Sequence, residues 1–153
     1  MKELIEYRSR LVERLAEAAQ EFSSACEAGK PEMHIEGDWT LHQIAAHVRD
    51  FGRSAYGERV RRTMQEENPF FERFNADEWM TKYYNQDEPL RNILDEFKKN
   101  VEDLCRMLNE APQDAWSRLS RHETMGGELT MQLWVERSLA HIEEHLQTIT
   151  KSK

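Results

Sequence analysis

Apolar residues recur at intervals of three and four along most of the chain, a period that belongs to helices packed on one face. The first such stretch predicts a helix from about Lys2 to Glu27, with Leu4, Ile5, Leu11, Leu15 and Phe22 as its stripe, ended by "GKPE". A second opens at "GDWT", where Asp38 or Thr40 can cap free amides, and runs to about Glu66. A third follows "NQDEP" and carries Leu90, Ile93, Leu94, Phe97, Val101, Leu104 and Leu108, closing at "NEAPQDAW". The fourth starts near "GGELT", with "MGGEL" read as the preceding turn, and reaches about Ile149; "TKSK" reads as a frayed tail.

The connections differ in length, and this constrains topology. Antiparallel neighbours need only a short link, whereas parallel neighbours need a return along the whole bundle. The longest link, "NPFFERFNADEWMTKYYNQDEP", joins the second and third helices and holds a short helical stretch around Ala76 to Tyr84. The fold class expected is therefore all-α, a four-helix bundle running up-down-down-up with a long crossover between helices two and three. Six aromatic residues crowd that crossover: Phe70, Phe71, Phe74, Trp79, Tyr83 and Tyr84. They suit a lid or a dimer contact, and equally the mouth of a pocket.

Length limits the organisation, since 153 residues make one domain, 1–153, with a sizeable core. Acidic residues outnumber basic ones 29 to 21, a net charge of −8 that offers no global field for phosphate backbones, so nucleic acid is not an expected partner. Two cysteines, Cys26 and Cys105, lack metal or disulfide spacing and fit a reducing cytoplasm. Neither a signal-peptide core nor a stretch of membrane-spanning length is present, so the expectation is a soluble protein with no membrane partner.

The chemistry lies in the histidines. "HIEEH" places His141 and His145 four residues apart, about 40° on a helical wheel, so both side chains leave one face. Measured from His141, the apolar residues Met131, Val135, Leu139, Ile142, Leu146 and Ile149 fall between roughly 80° and 160°, which puts the pair at the edge of the buried face. The same count on the second helix puts His47 at an apolar edge and sends His42, with Arg49 and Arg53, to the polar side. Three neutral imidazoles from two helices can hold a divalent transition ion and leave a coordination position for water or substrate.

Other metal patterns fail by residue. A zincin motif needs Glu at 142, where Ile142 stands, and a di-iron bundle needs Glu where Ile142 and Ser138 stand. No nucleotide loop or serine elbow occurs. His34 and His122 fall in predicted loops, and Cys105 on the apolar face of helix three reads as a core residue. The run "RVRR", ending at Arg62, reads as a solvated helix face, with a lesser reading in which one arginine meets an anionic substrate.

"DWTLHQIAAHVRD" followed by "GGELTMQLWVERSLAHIEEHLQTI" resembles the DinB/YfiT-like superfamily of four-helix bundles, over nearly the whole chain. The resemblance implies an up-down-down-up bundle with a divalent metal on one histidine of helix two and two of helix four, here His47, His141 and His145. It also implies, as the activity to expect, transfer of a low-molecular-weight thiol cosubstrate to an electrophilic small molecule, while the imidazole donors themselves lead to the expectation of zinc or nickel as the cofactor rather than calcium or magnesium. The catalytic residues beyond the ligands are not indicated. A non-catalytic metal-binding or self-associating bundle, and a metal-dependent hydrolase, are the alternatives. The aromatic crossover and wide apolar arcs lead to the expectation of a homodimer.

Overall fold

A computed structural model describes residues 1–152. Its elements in chain order begin with α1 (Lys2–Ala28), a hairpin of β1 (His34–Glu36) and β2 (Trp39–Thr40), and α2 (Leu41–Phe51). A π-helical turn, Gly52–Gly57, joins α2 without a break to α3 (Glu58–Gln65). Next come β3 (Phe70–Phe71), α4 (Ala76–Tyr83), α5 (Leu90–Glu110), a 3-10 turn at Gln113–Ser117, β4 (Leu119–His122), β5 (Gly126–Thr130) and α6 (Met131–Lys151). The four long helices are α1, the α2–α3 rod, α5 and α6.

Side-chain contacts fix their directions. Arg8 meets Gln132 and Arg14 meets Glu143, so α1 and α6 run parallel. Phe22 stacks edge-on against Phe97 while the Cys105 thiol reaches the Val12 carbonyl, so α5 runs against α1. His47 faces His141 while Arg59 covers Trp134, which makes the α2–α3 rod antiparallel to α6. Arg49 pairs with Glu88 and Arg53 with Glu96, so the rod runs alongside α5 in the same sense. The order is up-down-down-up, and the crossover exists because α2–α3 and α5 are parallel.

The core gathers Leu15, Phe22, Leu41, Ile44, Val48, Ile93, Leu94, Phe97, Met131, Trp134 and Ile149, all fully buried. Ile5, expected in the α1 stripe, is exposed, because the end of α1 projects past its neighbours' apolar faces. Thr40, rather than Asp38, caps α2: its hydroxyl accepts the Gln43 amide, and the Gln43 side chain accepts the Thr40 amide in return.

The segment read as a turn before the last helix is a strand. β5 pairs antiparallel with β4, and β4 pairs in parallel with β3 from the crossover. This small sheet ties the crossover to the start of α6, where Thr130 caps. Helix four therefore begins at Met131, and the expected frayed tail is helical through Lys151, with Lys153 outside the described residues.

The π-turn depends on glycine. A Cβ at Gly57 would sit 2.6 Å from the Gly52 carbonyl oxygen, one widened turn earlier. Gly57→Ala should therefore lower stability by about 1–3 kcal/mol, within the usual range for backbone conflict in a core element. Thermal unfolding of the variant checks this; an unchanged Tm would show that the turn relaxes freely.

Candidate metal centre

Two helices deliver the three histidines. His47 sits mid-α2, behind the capping box that fixes the start of that helix, and His141 and His145 lie one turn apart on α6. One nitrogen from each lies within 4.8 Å of the others. His47 Nε2 and His141 Nε2 approach to 3.0 Å, and the ring centroids stand 4.8 to 5.0 Å apart. For zinc at about 2.0–2.1 Å from each nitrogen, tetrahedral ligands are roughly 3.4 Å apart, so the triad needs only a small adjustment to hold an ion.

Burial keeps the cluster neutral, the form that binds metal. The His47 pKa is lowered to about 4, chiefly by burial and then by His145, while Asp50 acts against the shift. His141 is lowered further by burial and by both other imidazoles. His145 is lowered by burial, against the opposing charges of Glu36 and Glu144.

The donor set fits a divalent transition ion on a further observation. His145 Nδ1 is buried without a hydrogen bond of normal geometry, and Glu36 Oε1 stands 3.4 Å from it. A small closure makes the carboxylate–imidazole contact that orients metal-bound histidines, leaving Nε2 of His145 for the centre. Glu36→Gln should weaken zinc binding by about 10–100-fold while preserving the fold. Competition with a zinc chelator measures this, and unaltered affinity would remove Glu36 from the account.

Rings wall the triad. Phe51 lies 4.8 Å from His141, Tyr56 lies 5.6 Å from it, and Trp39 lies edge-on 5.4 Å from His47. Phe74 of the crossover backs Phe51 at 4.8 Å and stacks on Trp79, so the crossover forms the outer layer of the site. Trp79 is anchored by donating to Asp50, a buried carboxylate that also accepts from Arg49. The side chain of His145 remains 12% exposed.

Other expected placements change. His42, assigned to the surface with Arg49 and Arg53, is buried because the crossover covers that side: its ring nitrogens contact the Tyr84 hydroxyl and the Glu88 carbonyl. Arg49 is buried with it, whereas Arg53 stays exposed. His122 is a buried residue of β4 and not a loop residue. His34 is exposed in β1. Cys105 is a core thiol, its pKa pushed up to about 11 by burial, which suppresses the thiolate. Glu36 and Tyr56 were not singled out from the sequence. The turn signal "EGD", whose Gly37 has φ 55°, was the available sign that a hairpin carries Glu36 toward α6.

The fold and site define a four-helix bundle with a three-histidine centre suited to a divalent metal. The profile of the DinB superfamily matches residues 10–149, and the chain belongs to that superfamily. Among solved structures it is similar to YfiT from Bacillus subtilis, described as a probable metal-dependent hydrolase with an unusual four-helix bundle topology. The TM-score is 0.86 at 17% identity, over 96% of this chain and 86% of that one. At that identity the likeness is one of fold. No curated protein matches the chain.

Proposed function

We propose that the chain is a metal-dependent enzyme transferring a low-molecular-weight thiol to an electrophilic small molecule, with zinc or nickel held by His47, His141 and His145. The observation that carries this reading is the donor set: three neutral imidazoles from two helices, one ligand short of a closed structural site. Bound there, such an ion would lower the pKa of a thiol or water that joins it. The protein's own part is to keep the imidazoles neutral by burial, orient His145 through Glu36, and screen one side of the centre with Phe51, Tyr56 and Trp39.

The thiol is favoured over water by what surrounds the triad. Glu36, the carboxylate in contact with it, is turned to His145 Nδ1; Asp50 is engaged by Arg49 and Trp79, Glu144 is exposed, and the other neighbours named above are rings. A thiol has an ordinary pKa of about 8.5 and needs only modest help to ionise near neutrality, whereas hydrolysis commonly enlists a general base. The description of YfiT favours hydrolysis as the second reading.

Zinc- and nickel-loaded protein incubated with a model electrophile, with and without a panel of small thiols, separates the cases. Turnover should require both metal and thiol. Thiol-independent turnover that incorporates solvent oxygen would support the hydrolase, and full metal occupancy without turnover would support the non-catalytic bundle.

A homodimer and a cytoplasmic location belong to the same proposal. Both cysteines are buried, as suits a reducing compartment. No helix among the described residues is long and apolar enough to cross a membrane. Phe70 and Tyr83 are the crossover rings left exposed for a partner copy. Light scattering at high concentration tests the dimer.

A further inference from the structure

Two buried arginines lack a counter-ion among the described residues, Arg8 and Arg59, and only Arg8 is satisfied by neutral acceptors, on Gln132 and Gln113. Arg59, at the start of α3, is only 6% exposed, yet its guanidinium forms neither a salt bridge nor a hydrogen bond among the described residues. It lies over the rings of Trp134, at 4.8 Å, and Tyr56, at 5.6 Å. The other arginines of its run differ: Arg61 pairs with Glu58, and Arg62 with Glu66. Ring faces offset part of the cost of burying a guanidinium, but they leave its fork of N–H donors unused. The guanidinium nitrogens keep some contact with water but find no acceptor on the chain, so an anion that reaches them can complete the group.

The surroundings are donors. His122 Nδ1 accepts the amides of Thr124 and Met125, at 3.1 and 3.3 Å, which fixes its proton on Nε2 and makes that nitrogen a donor. Burial, and then the charges of Arg59 and Arg137, hold the His122 pKa down against the pull of Glu123. Glu123 itself accepts the Arg73 amide. Arg137, on α6, also acts on Arg59, adding to the effect of burial in lowering its pKa while Tyr56 opposes them. The Arg59 guanidinium and the His122 ring thus flank Trp134 at 4.8 and 5.9 Å, the Tyr56 ring lies 5.6 Å from Arg59, and Arg137 follows Trp134 by about one turn on α6.

This cluster adjoins the metal centre through one ring. Tyr56 stands 5.6 Å from His141 and 5.6 Å from the Arg59 guanidinium, so the two are separated by no more than twice that distance. A small molecule of moderate length can span them.

We infer that Arg59, with Arg137, Tyr56 and His122, forms an oxyanion subsite that binds a carboxylate or phosphate on the small molecule whose reacting end lies at the histidine centre. The subsite rests on the proposed function for what lies at its far end, but not for its own binding of anions. A planar guanidinium accepts either group through paired N–H bonds. The substrate class narrows to anionic small molecules, with the charge on the thiol or on its acceptor.

Calorimetric titration with ω-mercaptohexanoate and ω-mercaptohexanol tests the inference on zinc-loaded protein, with hexanoate and inorganic phosphate titrated into metal-free protein. The carboxylate thiol should bind at least about tenfold more tightly than the alcohol, the scale of a charged hydrogen-bonded contact. Arg59→Gln should abolish that preference with zinc content unchanged. Should Arg59→Gln fail to fold, Arg137→Ala alters an exposed residue and should reduce the preference several-fold. In metal-free protein, hexanoate or phosphate should perturb Trp134 fluorescence in the wild type and not in the variant. A preference for hexanoate over phosphate assigns a carboxylate, and the reverse assigns a phosphate. Equal affinity for the acid and alcohol, or anion binding indifferent to both arginines, overturns the subsite even where zinc binds. A chain that binds anions through Arg59 but no zinc upholds the subsite and overturns the metal enzyme.

Discussion

His141→Ala should lose stoichiometric metal. The residue packs against Phe51 and Tyr56 and lies 3.0 Å from His47. With roughly 10 kcal/mol available to a complete zinc site, removing one of three protein ligands should lower affinity by about a hundredfold or more. The metal-free fold should survive, because the neutral imidazole contributes packing at the edge of the core rather than a buried network. Elemental analysis after dialysis, with circular dichroism to confirm the helices, measures both. A folded variant that retains one equivalent of metal would refute the ligand assignment.

The second large effect is on acid stability. In the folded, metal-free chain the three imidazoles are held below the ordinary histidine pKa, whereas in the unfolded chain each protonates near about 6.5. Below that pH the unfolded state therefore takes up protons that the folded state refuses, and stability falls. The loss begins near the unfolded value and, for His47, continues down to its folded value of about 4, an effect of about 3 kcal/mol from this group. The other two add to it, less than additively because the groups are coupled. Zinc should raise the unfolding midpoint at neutral pH, and that increment should disappear as protons displace the ion. Urea unfolding across this pH range, with and without zinc, provides the check. For His141→Ala the acid loss should be smaller, and a wild-type curve flat through the window would contradict the buried, neutral cluster.

Much of this was legible from spacing. The 3.6-residue period marked all four helices, and the angular position of His47, His141 and His145 at the borders of two apolar arcs foretold their convergence. The long link between the second and third helices foretold parallel neighbours. What escaped the wheel has physical causes. The wheel assumes a uniform 100° step, which the π-turn at Gly52–Gly57 breaks beyond Phe51. It also assumes that the face away from the bundle meets water. His42 and Arg49 violate that because Tyr84 and Glu88, brought back by the crossover, cover them. The β3–β4–β5 sheet joins residues some fifty positions apart in strands of two to five residues, too short for a periodic signal. Burial of His122 follows from that tertiary pairing.

Zinc X-ray absorption on the loaded protein tests the central claim most directly. The spectrum should show one tightly bound zinc with three imidazole nitrogens at about 2.0–2.1 Å and a remaining light-atom ligand that exchanges for sulfur when a small thiol is added. A zinc shell closed by four protein ligands and unaltered by thiol, or no ordered imidazole shell at all, would contradict it.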